Sequence, residues 1–452
     1  MKTLLPLVLC SCLLLCGGTL SAKKGSTAKK ADKAGIYHAD PDHLWNRLHQ
    51  ALFVRSYGKK GKVYGQDVVD PLLWANTTEF LLSGPSHDKA LAILDEFLAE
   101  KGDKLVTDPL KGAVLQHDLW AVFDWTANFD QPRYGARVVD AANRSKKLDD
   151  ARRALRKRLA AAIRALAPNP EEIAKLPDNY AAAVASGAYA KDFDPKHPEK
   201  LFLSPDLLDP KGPWVCVRGA ASGPSAPVHV TYYRGRSPFL VFIRLPGGRQ
   251  ATLDYLKALN ASADRQLKLE DWEEGLAQFP VGTAVALLRQ MTVIDRAGRI
   301  TATPLTQTVQ MRVYREVDPE PREHSESQAM FKYVMAREPL FNGLHGGLQP
   351  VGKEKRVGVS LVHHSDYLQA NTLAKNRAIM QSCIDCHSCG GATVKSVFSF
   401  KQDDWVPAAH RFAPNSLRLV ATSAEIERKR AMQWKAKRHD WGLLQGWLEQ
   451  GR

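Results

Sequence analysis

The chain has 452 residues, 44% of them hydrophobic and 25% charged, with a formal net charge of +15. That length exceeds what one core needs, so about two to four domains are expected. The composition is that of a packed, soluble body. No stretch beyond the first residues reaches the ~18 apolar residues of a helical span, so no transmembrane span is expected in the mature chain. The basic excess is spread along the chain, which allows an acidic partner or cell-envelope surface without marking a site.

The first residues, "MKTLLPLVLCSCLLLCGGTLSAKKG", have the layout of an export signal: Lys2, then the apolar run Thr3 to Cys16, then small residues to Ala22. Cleavage after Ser21 or Ala22 would release an exported protein, periplasmic or extracellular. Leu9 and Ser11 ahead of Cys12 also give a lipobox-like order, so a lipid anchor is the alternative. Loss of the signal removes Cys10, Cys12 and Cys16 and leaves Cys216, Cys383, Cys386 and Cys389. A secreted disulfide scaffold would spread more cysteines along its length. Residues 23–35, "KKGSTAKKADKAG", have no apolar face and read as a flexible basic linker.

Residues 36–195 have helical patterning. In "DPDHLWNRLHQALF" Asp40 is the expected cap and Pro41 the first helical position. In "SHDKALAILDEFLAEKG" Ser86 is the expected cap and Gly102 the stop. "KKLDDARRALRKRLAAAIRALAPNP" places Leu148, Leu155, Leu159, Ile163 and Leu166 on one side, ahead of Pro168 and Pro170. Its other side carries Arg152, Arg153, Arg156, Lys157 and Arg158. This reads as a solvated helix face. No nucleic acid is expected as a partner of an exported chain.

Residues 196–320 change character. "PWVCVRG", "PVHVTYYRG", "PFLVFIRLPGG", "TAVALLRQMTVIDRAGRI" and "TQTVQMRVYREV" are β-branched and aromatic runs bounded by turn residues, expected as strands of an antiparallel sheet or sandwich. "DRAG" is a hairpin turn, and "ATLDYLKALN" a helix within the sheet. Cys216 alternates with Val215 and Val217 and reads as a buried, inert thiol. Residues 321–350 read as a polar linker followed by a Gly-rich loop, "FNGLHGGLQPVG", either an irregular connection or part of a cofactor pocket.

"QSCIDCHSCGG" holds the densest chemistry in the chain: Cys383-Ile-Asp-Cys386-His387, then Cys389. C-x-x-C-H is the attachment pattern of c-type haem. Two thiols one short turn apart can each add to a vinyl group on one edge of the porphyrin, and the next residue carries an imidazole under the ring. A chance match in a chain this poor in cysteine is expected roughly once per thousand sequences. Through these five residues and the export signal the chain resembles the c-type cytochromes. The resemblance implies covalent haem c, one per chain, with Cys383 and Cys386 as thioether positions and His387 as proximal iron ligand. It implies one-electron transfer with a redox partner that the sequence does not name.

Competing readings use the same residues: a zinc site of Cys383, Cys386, His387 and Cys389, or a redox disulfide. Four ligands within seven residues cannot easily surround a metal tetrahedrally, and no thioredoxin-like setting is present. Cys389 is left over in the haem reading, as a buried thiol or a partner of Cys216. The segment "SDYLQANTLAKNRAIMQSC" is expected as a helix, capped by Asp366, that ends at the motif. For the sixth ligand Met432 is the candidate, with His439, His410, His364 and the adjacent His363 as alternatives. "TSAEIERKRAMQWKAKRHDWGLLQGWLE" is expected as one helix with a capping box from Thr422 to Glu425. On it Trp434, Trp441, Leu444 and Leu448 face a core, while Met432 and His439 share another side.

The expected fold class is multidomain α+β: an N-terminal all-α domain (36–195), a central, mostly antiparallel β domain (196–320), and a C-terminal, mostly α, cytochrome c-like haem segment (351–452). No further catalytic motif stands out. The function classes carried forward are an electron-transferring mono-haem protein, a haem-dependent oxidoreductase with an open sixth iron position, and a cell-envelope binding protein whose cysteines form a zinc or disulfide clip.

Overall fold

The computed structural model describes residues 35–57, 62–70, 80–127, 146–219, 223–264, 277, 279–316, 328–352, 356–357, 377–378 and 418–450. The N-terminal part is helical: α1 (Leu44–Leu52), α2 (Gly84–Ala99), α3 (Pro109–Ala127), α4 (Lys146–Ala165), α5 (Pro170–Ala174) and α6 (Asn179–Ala185). A small hairpin interrupts it, β1 (Arg55–Tyr57) paired antiparallel with β2 (Lys62–Tyr64).

Helix starts differ from expectation by a few residues. His43, not Asp40, caps α1, its Nδ1 accepting from the Trp45 amide. Asp40 instead closes its own turn by accepting from the Asp42 amide. α2 begins after Ser83, held extended at φ −153°, rather than after Ser86. α4 matches its pattern: Leu155, Leu159 and Ile163 are wholly buried, each worth about 1.5–3 kcal/mol of transfer free energy. Beyond it, Asn169 and Glu172 close a reciprocal capping box, and Pro170 takes the first position of α5.

The centre is one seven-stranded antiparallel sheet. Its strands are β3 (Val215–Gly219), β4 (Phe239–Arg244), β5 (Ala284–Ile294), β6 (Ile300–Tyr314), β7 (Gln328–Met335), β8 (Leu348–Pro350) and, after the short pair β9 (Arg356–Val357) and β10 (Arg377–Ala378), β11 (Leu419–Ala421). β3 to β8 follow one another across the sheet in chain order, and β11 returns to pair with β3 at the far edge. Turn chemistry fixes the β5–β6 hairpin: the Asp295 carboxylate accepts from the Arg299 amide, and Gly298 takes φ +76°.

Two expectations fail here. "PVHVTYYRG" forms α7 (Pro227–Tyr232) rather than a strand, and Gly235 at φ +73° stops the chain after it. Tertiary packing of Val230 overrides its β propensity. Within the stretch read as linker and loop, β7 is a full strand in register with β6, and α9 (Arg337–Phe341) follows it. The Gly-rich loop packs against α6: Asn179 Nδ2 donates to the Gly346 carbonyl at 2.9 Å.

Strand alternation divides the core. Cys216, Leu240, Phe242, Ala286 and Leu288 share one large cluster with the buried residues of α3 and α4. Val215, Val217, Val241, Ile243 and Val285 face the other way, onto Tyr255, Leu256 and Leu259 of α8 (Gly248–Asp264). The single C-terminal helix expected from 422 is two, α10 (Ala424–Ala436) and α11 (His439–Gln450). Ser423 caps α10 by accepting from the Ile426 amide, while Thr422 bonds Glu427. α10 packs on β4 and β6, and α11 on α3 and α4. The fold therefore has N-terminal helices, a central antiparallel sheet and C-terminal helices. No helix among the described residues is long and apolar enough to cross a membrane.

Candidate functional site

Cys383, Cys386, His387 and Cys389 lie outside the described residues, as do His363, His364, His410 and the export signal. The chain leaves the sheet at β8, one edge, and rejoins it at β11, the opposite edge. Seven strands at ~4.8 Å spacing put those edges roughly 29 Å apart. Within this excursion Arg356 and Val357 pair with Ala378 and Arg377. At Arg377 and Ala378 the chain is extended rather than helical as expected there, and the rest of that expected helix lies outside the described residues. Cys383 follows Ala378 by five residues.

Met432 sits half-buried on α10, and His439 is exposed at the start of α11. The chain breaks between them at Lys437, so they do not share a side of one helix. The expected core face holds for Trp441, Leu444 and Leu448, all buried. Trp434 is half-buried, with the Arg438 guanidinium 4.6 Å over its ring. Cys216 is a free, buried thiol rather than half of a disulfide. Burial pushes it up to about 12, and Glu427 adds to the shift. The basic side of α4 is partly tied to the chain: Arg158 grips Asp95 at 2.8 and 2.9 Å, Arg152 pairs with Asp149, and Arg156 donates to the Thr126 carbonyl.

The described residues hold a second concentration of chemistry that sequence reasoning missed. α3 is apolar on nearly every side, yet it carries Gln116, His117, Asp118 and Asp124, all buried. A buried charge must find a partner, and each of these does.

Asp70, in a left-handed backbone conformation (φ 46°), accepts from Arg236 at 2.9 Å and from Arg289 at 3.4 Å. Burial alone would raise its pKa, but Arg236, His117 and Arg289 hold its carboxyl well below the usual carboxylate range. His117 Nδ1 meets the Thr292 carbonyl at 2.8 Å. Its Nε2 faces the Gln307 amide at 2.9 Å and Asp70 at 3.4 Å. Ser237 Oγ donates to Gln307 at 2.6 Å. Arg236 also reaches Asp124 at 3.1 Å, and Asp124 accepts from Lys435 Nζ at 2.6 Å.

A second arm is centred on Arg337. Its Nη2 lies 2.7 Å from Asp118, which also accepts from the Tyr37 hydroxyl at 2.8 Å. Its Nη1 points among the carbonyls of Gly65, Gln66, Asp67 and Val68. The β5–β6 ladder slips at Arg289–Gln290 and again before Thr292, where β5 passes this cluster.

Asp70, Asp118, Asp124 and Asp440 thus face Arg236, Arg289, Arg337 and Lys435, all at most 1% exposed. Such an array cannot touch a substrate in the folded state. It locks distant parts of the chain into one arrangement, and removing one member leaves its partner charged and dry. Among the described residues no three His, Cys, Asp or Glu side chains come together as metal ligands. Compared with known proteins, the chain matches no family model, no curated protein and no solved structure.

Proposed function

We propose that the chain is an exported mono-haem c protein that passes single electrons. The observation that carries this is C-x-x-C-H at Cys383, Cys386 and His387, beyond an export-type leader, in a chain with one further cysteine outside the leader and the motif region, Cys216. The donor set suits the group: two thiols for the thioethers and an imidazole in the next position. Cys216 does not compete, being a protonated thiol sealed in β3.

Bound haem supplies a one-electron couple whose potential depends on axial ligation and burial. Cys383 and Cys386 would fix one edge of the ring, and His387 would hold the iron from one side. The described residues supply a packed core whose sheet edges, β8 and β11, lie before and after the segment in the chain. The partner is a redox protein or carrier outside the cytoplasm.

The test is the visible spectrum of protein made with a haem-attachment system, taken before and after His387→Ala. A c-type spectrum that loses its native ligation in the variant supports the reading. Exposure to carbon monoxide then separates a closed sixth position, suited to electron transfer, from an open one suited to oxidoreductase chemistry. A colourless protein would favour the thiol or zinc clip.

A further inference from the structure

Residues 35–43 form a loop that runs into the N-terminus of α1, and two histidines hold its last turn. The rings of His38 and His43 stack with their centroids 4.1 Å apart and their planes 22° apart. Each accepts a backbone amide on Nδ1, His38 from Asp40 at 3.2 Å and His43 from Trp45 at 3.2 Å. A ring nitrogen that accepts carries no proton, so both imidazoles are neutral Nε2–H tautomers. His38 is exposed and His43 half-buried, so water can deliver a proton to either ring.

A proton on Nδ1 turns an acceptor into a donor that faces another donor, and the hydrogen bond is lost. At His43 the lost bond is the cap of α1, and a cation at a helix N-terminus is opposed by the helix dipole. Burial, then His38 and Lys111, hold His43 below the usual histidine range, against the pull of Asp40. Lys111 reaches in from α3, its Nζ donating to the Tyr37 carbonyl at 2.9 Å. The first turn of α1 has no acidic residue to answer the charge, and Asp42 is the turn's one other carboxylate.

The start of the loop is held by groups that do not titrate near neutrality. Asn46 accepts from the Tyr37 amide at 2.8 Å and donates to the His38 and Asp40 carbonyls at 2.8 and 2.6 Å. The Tyr37 hydroxyl is fixed on Asp118. What the histidines alone secure is the turn through Pro41 and Asp42 and the first turn of α1. That turn walls a groove of about 510 Å³, with Ile36, Pro41 and Asp42 on its side and Lys89, Ile93 and Glu96 of α2 lining it too.

We propose that His38 and His43 form an acid-sensitive latch: as neutral rings they hold the Pro41–Asp42 turn on α1 and keep the groove walled, and when protonated they release that turn and fray the start of α1. The latch is independent of the haem reading.

The test is hydrogen exchange followed by mass spectrometry on the full chain at pH 7.5 and 5.5, each rate divided by the intrinsic chemical rate at that pH. A released histidine takes its proton near pH 6.5. Opening of residues 38–46 should therefore rise roughly tenfold per histidine over this interval, while residues 47–53 and 84–99 keep their protection. His43→Asn keeps a cap that does not titrate. It and His38→Asn should each remove part of the response, and the double variant should be flat between the two pH values. Nitrogen-15 spectra of the parent at pH 7.5 should show both rings as Nε2–H tautomers. The proposal is overturned if residues 38–46 keep their protection at pH 5.5, or if residues 47–53 and 84–99 lose theirs equally. It is also overturned if the double variant opens as the parent does, or if either ring is the Nδ1–H tautomer at pH 7.5.

Discussion

Lys435 Nζ lies 2.6 Å from Asp124 and 3.3 Å from Asp440, and all three side chains are sealed from water. Asp124 is on α3 and Lys435 on α10, so this contact joins the helices that precede the sheet to those that follow the excursion bearing the C-x-x-C-H sequence. The chain is therefore fastened on both sides of that excursion, by β8 before it and by β11, α10 and α11 after it. Lys435→Met should leave two buried carboxylates short of a cation and destabilise the fold by about 3–5 kcal/mol. Denaturant unfolding measures this as a lower midpoint. A loss under about 1 kcal/mol would show the ammonium to be dispensable.

The loop at Gly346 is a packing device. Gly346 has φ +58°, and a Cβ there would run into the Asn179 carbonyl and the Ala183 amide of α6. Gly346→Ala should cost roughly 2–4 kcal/mol through backbone strain and displacement of α6. Haem incorporation per folded molecule should not change. A variant that folds normally but loses haem would return this loop to a cofactor pocket.

Acid should weaken the fold in two stages. His229 is lowered to about 4 by burial and by Lys332 and Arg312, and His49 is lowered well below its usual value by burial and by Arg337. The unfolded chain accepts protons near pH 6.5 that these folded histidines refuse. Their contribution is whole above about 6.5 and is lost as pH falls toward the folded values. Asp70, depressed by its cations, adds a loss below about 4, where the unfolded carboxylate protonates first. Asp118 and Asp124 act in the opposite sense, since burial raises them and the folded chain takes up their protons first. His229→Phe should make the decline between pH 6.5 and 4 shallower by up to about 1.4 kcal/mol per pH unit. An unchanged slope in pH-dependent unfolding would remove His229 from this account.

Cys216 should be inert until the protein unfolds, because its thiol is buried and pushed up to about 12. Iodoacetamide at pH 8 followed by peptide mapping should leave Cys216 unlabelled in the native protein and labelled in denaturant. Labelling in the native state would contradict its burial in β3.

The strands from Val215 to Tyr314 were legible because β-branched runs alternate between faces and end in turn residues. The helix α4 was legible because its apolar positions recur on one side. α3 was not, because it is buried all round and has almost no polar side to give a period. The signal that would have found it is chemical: Gln116, His117, Asp118 and Asp124 inside "GAVLQHDLWAVFDWTA" need buried partners wherever the segment goes. Those partners, Arg236, Arg289, Arg337 and Lys435, come from four remote stretches, and no local pattern connects them. "PVHVTYY" misled because Val228, Val230, Thr231, Tyr232 and Tyr233 are strand formers, yet the stretch fits a short helix with Val230 buried. The C-x-x-C-H pattern stands out by itself, as two thiols and an imidazole in close order, and no patterning of the surrounding chain adds to it.

The intact mass of the denatured protein, made with a haem-attachment system, tests the central claim most directly. The account predicts the chain, less any leader, plus one haem, with the increment lost in the Cys383→Ala, Cys386→Ala double variant. A mass equal to the bare chain would contradict it and leave the cysteines as a thiol or zinc clip.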